Sequence, residues 1–148
     1  IFFSKRGLAF ESLGNTVNAI NDYKKSIEID ASDIDAYINM ANAFDRRGKP
    51  RLAIKYYKSG LKVDKNSIDV LYNLGVTYKG LGELDNAIES YNKVIKIDPK
   101  NGDSFCNRGV CKLMLGDYKG ATKDLKLAAT YGVPEALQNL ESFSSEDL

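Results

Sequence analysis

The sequence predicts an all-α protein made of antiparallel helical hairpins stacked one after another. Three observations predict it. Gly14, Gly48, Gly82 and Gly116 stand 34 residues apart each time, and a spacing in the range of about 20–50 residues marks a repeat array. Other columns keep the same phase: Ala19, Ala53, Ala87 and Ala121 follow the glycines by five residues, and Tyr23, Tyr57, Tyr91 and Leu125 follow by nine. Small residues precede the glycines by seven, as Gly7, Ala41, Gly75 and Gly109, and Phe3, Tyr37, Leu71 and Phe105 lie four further back. Between the columns, apolar residues fall at helical spacing, as in Leu71, Leu74 and Tyr78, and again in Ala87, Ile88, Tyr91, Val94 and Ile95.

Taken in order, the pattern places helices over 2–13 and 16–29, 33–47 and 50–63, 67–81 and 84–97, 101–115 and 118–131. The recurring glycine fits the residue just past a helix end, where φ is positive and a side chain is strained. Ser32 and Ser67 suit the N-caps of the third and fifth helices, and Pro50 suits a first helical turn. Asp98-Pro99 ends the sixth helix. Pro134 opens a last short helix, 134–143, with Leu137, Leu140 and Phe143 on one face and Gln138, Asn139 and Glu141 outside. Such a helix can cover the apolar side that a repeat stack leaves bare at its end. Residues 144–148 read as a frayed acidic tail. The implied organisation is one domain: a first repeat over 1–33, shortened at its front, then repeats over 34–67, 68–101 and 102–135, and a capping segment over 136–148.

Composition narrows the chemistry. The 148 residues are 43% hydrophobic and carry 21 basic against 20 acidic side chains, a net charge of +1, so no global field favours nucleic acid or an anionic membrane. No apolar run reaches the roughly 20 residues of a spanning helix, and no signal-peptide pattern is present. Ile1 reads as an interior residue of a longer protein. Histidine is absent, which removes the commonest general base and most metal sites. Cys106 and Cys111 lie five residues apart on different faces of one helix, so they read as small packing residues rather than a disulfide or a metal site. The expectation is therefore a soluble protein without catalysis, cofactor or metal, whose partner is a protein or peptide.

The third block, LYNLGVTYKGLGELDNAIESYNKVIKIDP, closely resembles the tetratricopeptide repeat, matching it at Leu71, Leu74, Gly75, Tyr78, Ala87, Tyr91 and Pro99. The resemblance runs from residue 1 to about 135. Departures are Arg6 and Arg108 in place of the usual leucine, Lys112 where Phe10, Phe44 and Tyr78 stand elsewhere, and Ala31 and Lys65 in place of the terminal proline. Lys112 suggests that the fourth block packs differently near the end of its first helix. The resemblance implies a right-handed superhelix, an α-solenoid, whose concave side is lined by the first helix of every block.

On those helices the columns beside the core stripe read Ser4 and Leu8, Ile38 and Asn42, Tyr72 and Val76, Cys106 and Val110, next to Lys5, Asn39, Asn73 and Asn107. An asparagine amide offers one donor group and one acceptor, which suits a peptide unit. The three asparagines in one column are similar to the asparagine ladders of sugar-transferase arms of this family, although asparagine there can also bond locally. Ile38, Tyr72, Val76 and Val110 would take apolar side chains of a ligand. A chaperone-tail carboxylate clamp is disfavoured, because Ser4, Leu8, Asp69 and Asn73, or Ile38, Asn42, Asp103 and Asn107, stand at its matching places, and Asp35, Asp69 and Asp103 would repel a carboxylate.

Residues 34–67 hold eight basic and three acidic side chains. Arg51, Lys55, Lys58 and Lys62 recur along one helix as a basic patch expected on the convex side, either a solvated face or a dock for an acidic partner. RNA is disfavoured, since Tyr56 and Tyr57 are the nearby rings and Tyr57 belongs to the core. The function implied is a non-catalytic scaffold that binds an extended segment of a partner in its groove. The alternative is a structural or assembly role, with the uncapped first repeat and an exposed Ile1, Phe2 and Phe3 forming a homodimer.

Overall fold

The structure is a computed structural model that describes residues 1–144. Its helices are α1 (Phe2–Ser12), α2 (Thr16–Ile29), α3 (Ile34–Arg46), α4 (Pro50–Val63), α5 (Ile68–Gly80), α6 (Leu84–Ile97), α7 (Gly102–Met114), α8 (Tyr118–Thr130) and α9 (Gln138–Ser144), with a 3-10 turn over Pro134–Leu137 before the last.

Helix starts follow the 34-residue period through their caps. Asp33, Ser67 and Asn101 each accept a backbone N–H from three residues on, at 3.1, 3.4 and 3.0 Å. Asn15 and Asp117 do the same for α2 and α8 at 3.2 and 2.9 Å. Each such cap is worth about 1 kcal/mol. Ser32 is not the cap of α3. Its N–H and hydroxyl both donate to Asp30 Oδ1, at 2.9 and 2.6 Å, and this local turn delivers Asp33 to the capping position. Pro50 opens α4, where no side chain caps. At the other ends, Gly14, Gly48, Gly82 and Gly116 have φ of 74°, 69°, 74° and 81°, the left-handed region that an L side chain resists.

The chain divides into two compact units, residues 1–70 and the residues from 71 onward. In the first, α1 packs on α2, α3 on α4, and α2 on α3. Its core gathers Ala19, Tyr23 and Met40 with Phe10, Ile20, Ile27, Phe44 and Tyr56, the last two rings stacked at 5.4 Å. Ser4, on α1, sits 2.8 Å from Ser26 Oγ and 2.7 Å from Asp33 Oδ2, which ties the first three helices through one buried polar knot. Phe3 is half-buried rather than exposed, with Arg6 and Lys25 above its ring at 5.3 and 5.5 Å.

In the second unit, α7 packs on α6 and α8, and the 3-10 turn and α9 pack on α8. Phe105, Leu113, Ala121, Leu125, Ala128 and Ala136 form the buried centre, joined by Ile95, Tyr131, Val133 and Leu140. The small column is explained by Gly75: a Cβ there would lie 2.7 Å from the Tyr91 ring, so a buried aromatic occupies the space a side chain would need. Fully burying such a residue contributes about 1.5–3 kcal/mol.

The end segment departs from the expected single helix. Pro134–Leu137 winds as 3-10, with the Ala136 N–H bonded to Val133 O at 3.0 Å, and Ala136 rather than Leu137 enters the core. Leu137 is 41% exposed, whereas Leu140 packs inward as expected. Asn139 is half-buried, not outside, and its amide meets Cys106 Sγ at 3.9 Å. The Phe143 side chain and residues 145–148 lie outside the described residues.

Candidate functional site

The first helices of the hairpins carry the residues that the sequence singled out. In the first unit α1 and α3 frame a depression of about 330 Å³, lined by Ile1, Ser4, Lys5, Leu8, Asp35 and Asn39. Leu8 is 47% exposed there. Ser4 lines the depression, but its hydroxyl is committed to Ser26 and Asp33. Burial pushes the Asp33 carboxyl up, yet the hydroxyls of Ser26 and Ser4 and the Ala36 N–H outweigh it and leave the group below the ordinary carboxylate range. Ile38 and Asn42 are half-buried, and Asn42 Oδ1 accepts the Tyr57 hydroxyl, so this amide already holds the core tyrosine in place.

In the second unit the same columns lie on α5 and α7. Asn107 is fully engaged: its amide nitrogen donates to the Tyr72 hydroxyl at 3.0 Å and to Asp103 O at 3.1 Å, while Oδ1 accepts Lys79 Nζ. Burial, then Asp103, raises the Tyr72 phenol above its usual value. Cys106 is half-buried and Cys111 buried, and burial pushes both thiols up against the pull of Lys79, as packing residues require. Val76 is 37% exposed and Val110 half-buried. Asn39 and Asn73 are half-buried, and neither side-chain amide has a hydrogen bond among the described residues. The asparagine column thus separates into two free amides and one spent locally.

The sequence reading treated Arg6, Arg108 and Lys112 as departures, and the structure gives them partners. Arg6 forks onto the buried Asp22 at 2.6 and 2.8 Å and holds that carboxyl below its ordinary range. Arg108 forks onto the buried Asp124 at 2.8 and 2.7 Å and reaches Asn92 of α6 at 2.6 Å. Lys112 adds a third bond to Asp124 at 2.9 Å, which is how the fourth block differs at the end of its first helix. The signal was present: Arg6 with Asp22 and Arg108 with Asp124 share one separation, and the blocks between carry Met40 with Tyr56 and Leu74 with Ser90. Lys79 was missed, because its column, Glu11, Asp45, Lys79 and Leu113, keeps no residue type.

Arg51, Lys55, Lys58 and Lys62 are all exposed on α4 and, with Ile54 and Ser59, line an open depression of about 470 Å³. Among the described residues no group of three or more His, Cys, Asp or Glu is placed to hold a metal, and no helix is long and apolar enough to cross a membrane.

Hairpins with a small residue beneath each buried ring and polar first-helix faces define a helical-repeat protein of the α-solenoid class. Profiles described as tetratricopeptide repeat match residues 36–68, 68–101 and 90–123, and one described as TPR repeat matches residues 7–48; the chain belongs to the tetratricopeptide repeat family. No curated protein matches it significantly. Among solved structures, MamA is 27% identical with a TM-score of 0.83, over 90% of this chain and 78% of that one. The pilF protein of Pseudomonas aeruginosa is 22% identical with a TM-score of 0.84, over 98% of this chain and 67% of that one. The first TPR of Spaghetti (RPAP3), solved with the HSP90 peptide SRMEEVD, is 19% identical with a TM-score of 0.72, over 78% of this chain and 94% of that one. The last two likenesses concern the fold.

Proposed function

We propose that this chain is a non-catalytic interaction scaffold in which the first-helix faces, in each of the two units by itself, hold an extended segment of a partner protein. The observation that carries this reading is the pair of amides without an internal partner, Asn39 and Asn73, each near an exposed apolar side chain: Asn39 of α3 shares a depression with Leu8 of α1, and Asn73 lies on α5 with Val76. A half-buried amide without an internal partner is ready to bond a peptide unit, at about 1 kcal/mol net per bond. Tyr72, Cys106 and Val110 offer apolar surface, and Asn107 and Asn42 support the face rather than reach a ligand. The likeness to a fold solved with a bound peptide agrees with a peptide ligand. Asp35, Asp69 and Asp103 are exposed, which favours a neutral or basic segment over an acidic tail of the SRMEEVD kind.

Peptides selected from a random display library against the wild-type chain provide the test. The double variant Asn39→Ala with Asn73→Ala should bind the selected peptides roughly five- to thirtyfold more weakly, the loss of one or two such bonds, with its circular dichroism melt nearly unchanged. Equal affinity would remove the proposal.

A second reading, assembly through the first hairpin, is favoured by Ile1, Phe2, Leu13 and Val17, which are 88%, 66%, 80% and 55% exposed on α1 and α2 and their flanks. Light scattering that rises with concentration, and is abolished by Phe2→Ser with Val17→Ser, would support it. A monomer at every concentration would end it.

A further inference from the structure

We propose that the outer face of α4 is a separate docking surface for an extended acidic segment of a partner protein, with Asp or Glu at every second position. Helix α4 carries four cations and no acidic residue between Pro50 and Val63. Arg51, Lys55, Lys58 and Lys62 follow one another by four, three and four residues, so they share one face and repel. Helix α6 shows the ordinary arrangement: Asp85 in its first turn and Glu89 bonded to Lys93 at 2.8 Å. Lys55, Lys58 and Lys62 have no ion pair among the described residues; Lys55 lies 5.9 Å over the Tyr56 ring. Three lysines on one exposed helix face with no anion opposite them among the described residues are complemented by an anionic partner.

The spacing selects the partner's form. At about 1.5 Å rise per residue the four cations are separated by roughly 6, 4.5 and 6 Å along α4. Alternate side chains of an extended peptide point the same way about 6.6 Å apart, within about 2 Å of each of those steps, a difference that flexible lysine side chains can span. The depression beneath, with Ile54 at its floor and Ser59 on its wall, gives the peptide backbone a place to lie. A single-stranded nucleic acid would want rings to stack on, but Tyr57 is buried and Tyr56 is already stacked on Phe44. A membrane surface would want a broad apolar helix face, whereas Ala53, Tyr57 and Gly60 of α4 are turned inward and its exposed apolar side chains, Leu52 and Val63, stand near opposite ends of the helix.

The probe is a fluorescein-labelled peptide of about twelve residues in which Glu alternates with Ser, followed by anisotropy at about 0.05 and about 0.5 M salt. Wild-type protein should bind it at low salt and release it at high salt. Lys55→Glu with Lys58→Glu should weaken binding at least about tenfold, Lys55→Gln with Lys58→Gln should fall between, and a Lys-Ser peptide should now bind the reversed variant better than the wild type. Asn39→Ala with Asn73→Ala should keep full affinity for this probe, which separates the surface from the first-helix faces. Equal affinity of wild type and both lysine variants would overturn the proposal. So would displacement of the peptide, at equal charge concentration, by an oligouridine RNA or by phosphatidylserine vesicles at lower dose than by unlabelled peptide.

Discussion

The tyrosine column shows how one position acquires three environments. Tyr23, Tyr57 and Tyr91 are all buried, and the hydroxyl of Tyr23 donates to Glu11 at 3.0 Å and that of Tyr57 to Asn42. The Tyr91 hydroxyl has no partner among the described residues, because the columns that supply Glu11 and Asn42 hold Lys79 and Val76 in its block. An unsatisfied buried hydroxyl costs free energy that a matched one does not. Tyr91→Phe should therefore leave stability unchanged or raise it, while Tyr57→Phe should lower it by about 0.5–1.5 kcal/mol, both read from urea denaturation. An equal loss from the two substitutions would show that Tyr91 has found an acceptor. The same scale explains why the asparagines could not be sorted from sequence. Their column is plain, but whether an amide is free depends on neighbours such as Lys79 and Tyr72, contributed by a different helix and following no period.

At the scale of elements most of the fold was legible. The helices over residues 1–130 begin and end within one residue of the periodic reading, because the glycine and alanine columns each report a fixed place in the hairpin. The period also held the answer where the reading slipped. Ser67 caps α5, and 34 residues earlier stands Asp33, not Ser32. The end segment was harder, since Pro134–Leu137 fits the first turn of either helix type. Packing against α8 decides between them, and the 3-10 winding that buries Ala136 leaves Leu137 outside. Nothing local in PEAL announces that choice. The ion pairs on the buried aspartates were legible in principle as pairs of columns, although a reading of single columns made each arginine an exception.

For the molecule as a whole, composition controls the response to pH. With no histidine, no side chain has an ordinary pKa between about 5 and 8. Asp22 and Asp33 are held below their ordinary value of 3.8, so their contribution is complete above that value and is lost as pH falls through the lower folded values. The thiols of Cys106 and Cys111 and the phenols of Tyr23 and Tyr91 are raised above 9.0 and 10.0, so they favour the folded state fully below those values and cease to as pH climbs past their folded ones. The expected thermal melt is level from about pH 5 to about pH 8, falls below about pH 4 and falls again on the alkaline side. A slope of several degrees inside the level region would mean that some other group changes its protonation on folding.

The forked arginines bear on how freely such hairpins can be recombined. By sequence period the second helices look interchangeable, yet a chimera that grafted α6 in place of α8 would set Arg108 and Lys112 opposite Ser90, leaving two cations without their shared anion. The reciprocal graft would bring Asp124 into a pocket shaped by Leu74. Module shuffling in this array is therefore restricted to whole hairpins, cut at the glycine-free joints between one hairpin and the next, or to second helices that carry the same aspartate, as α2 and α8 do.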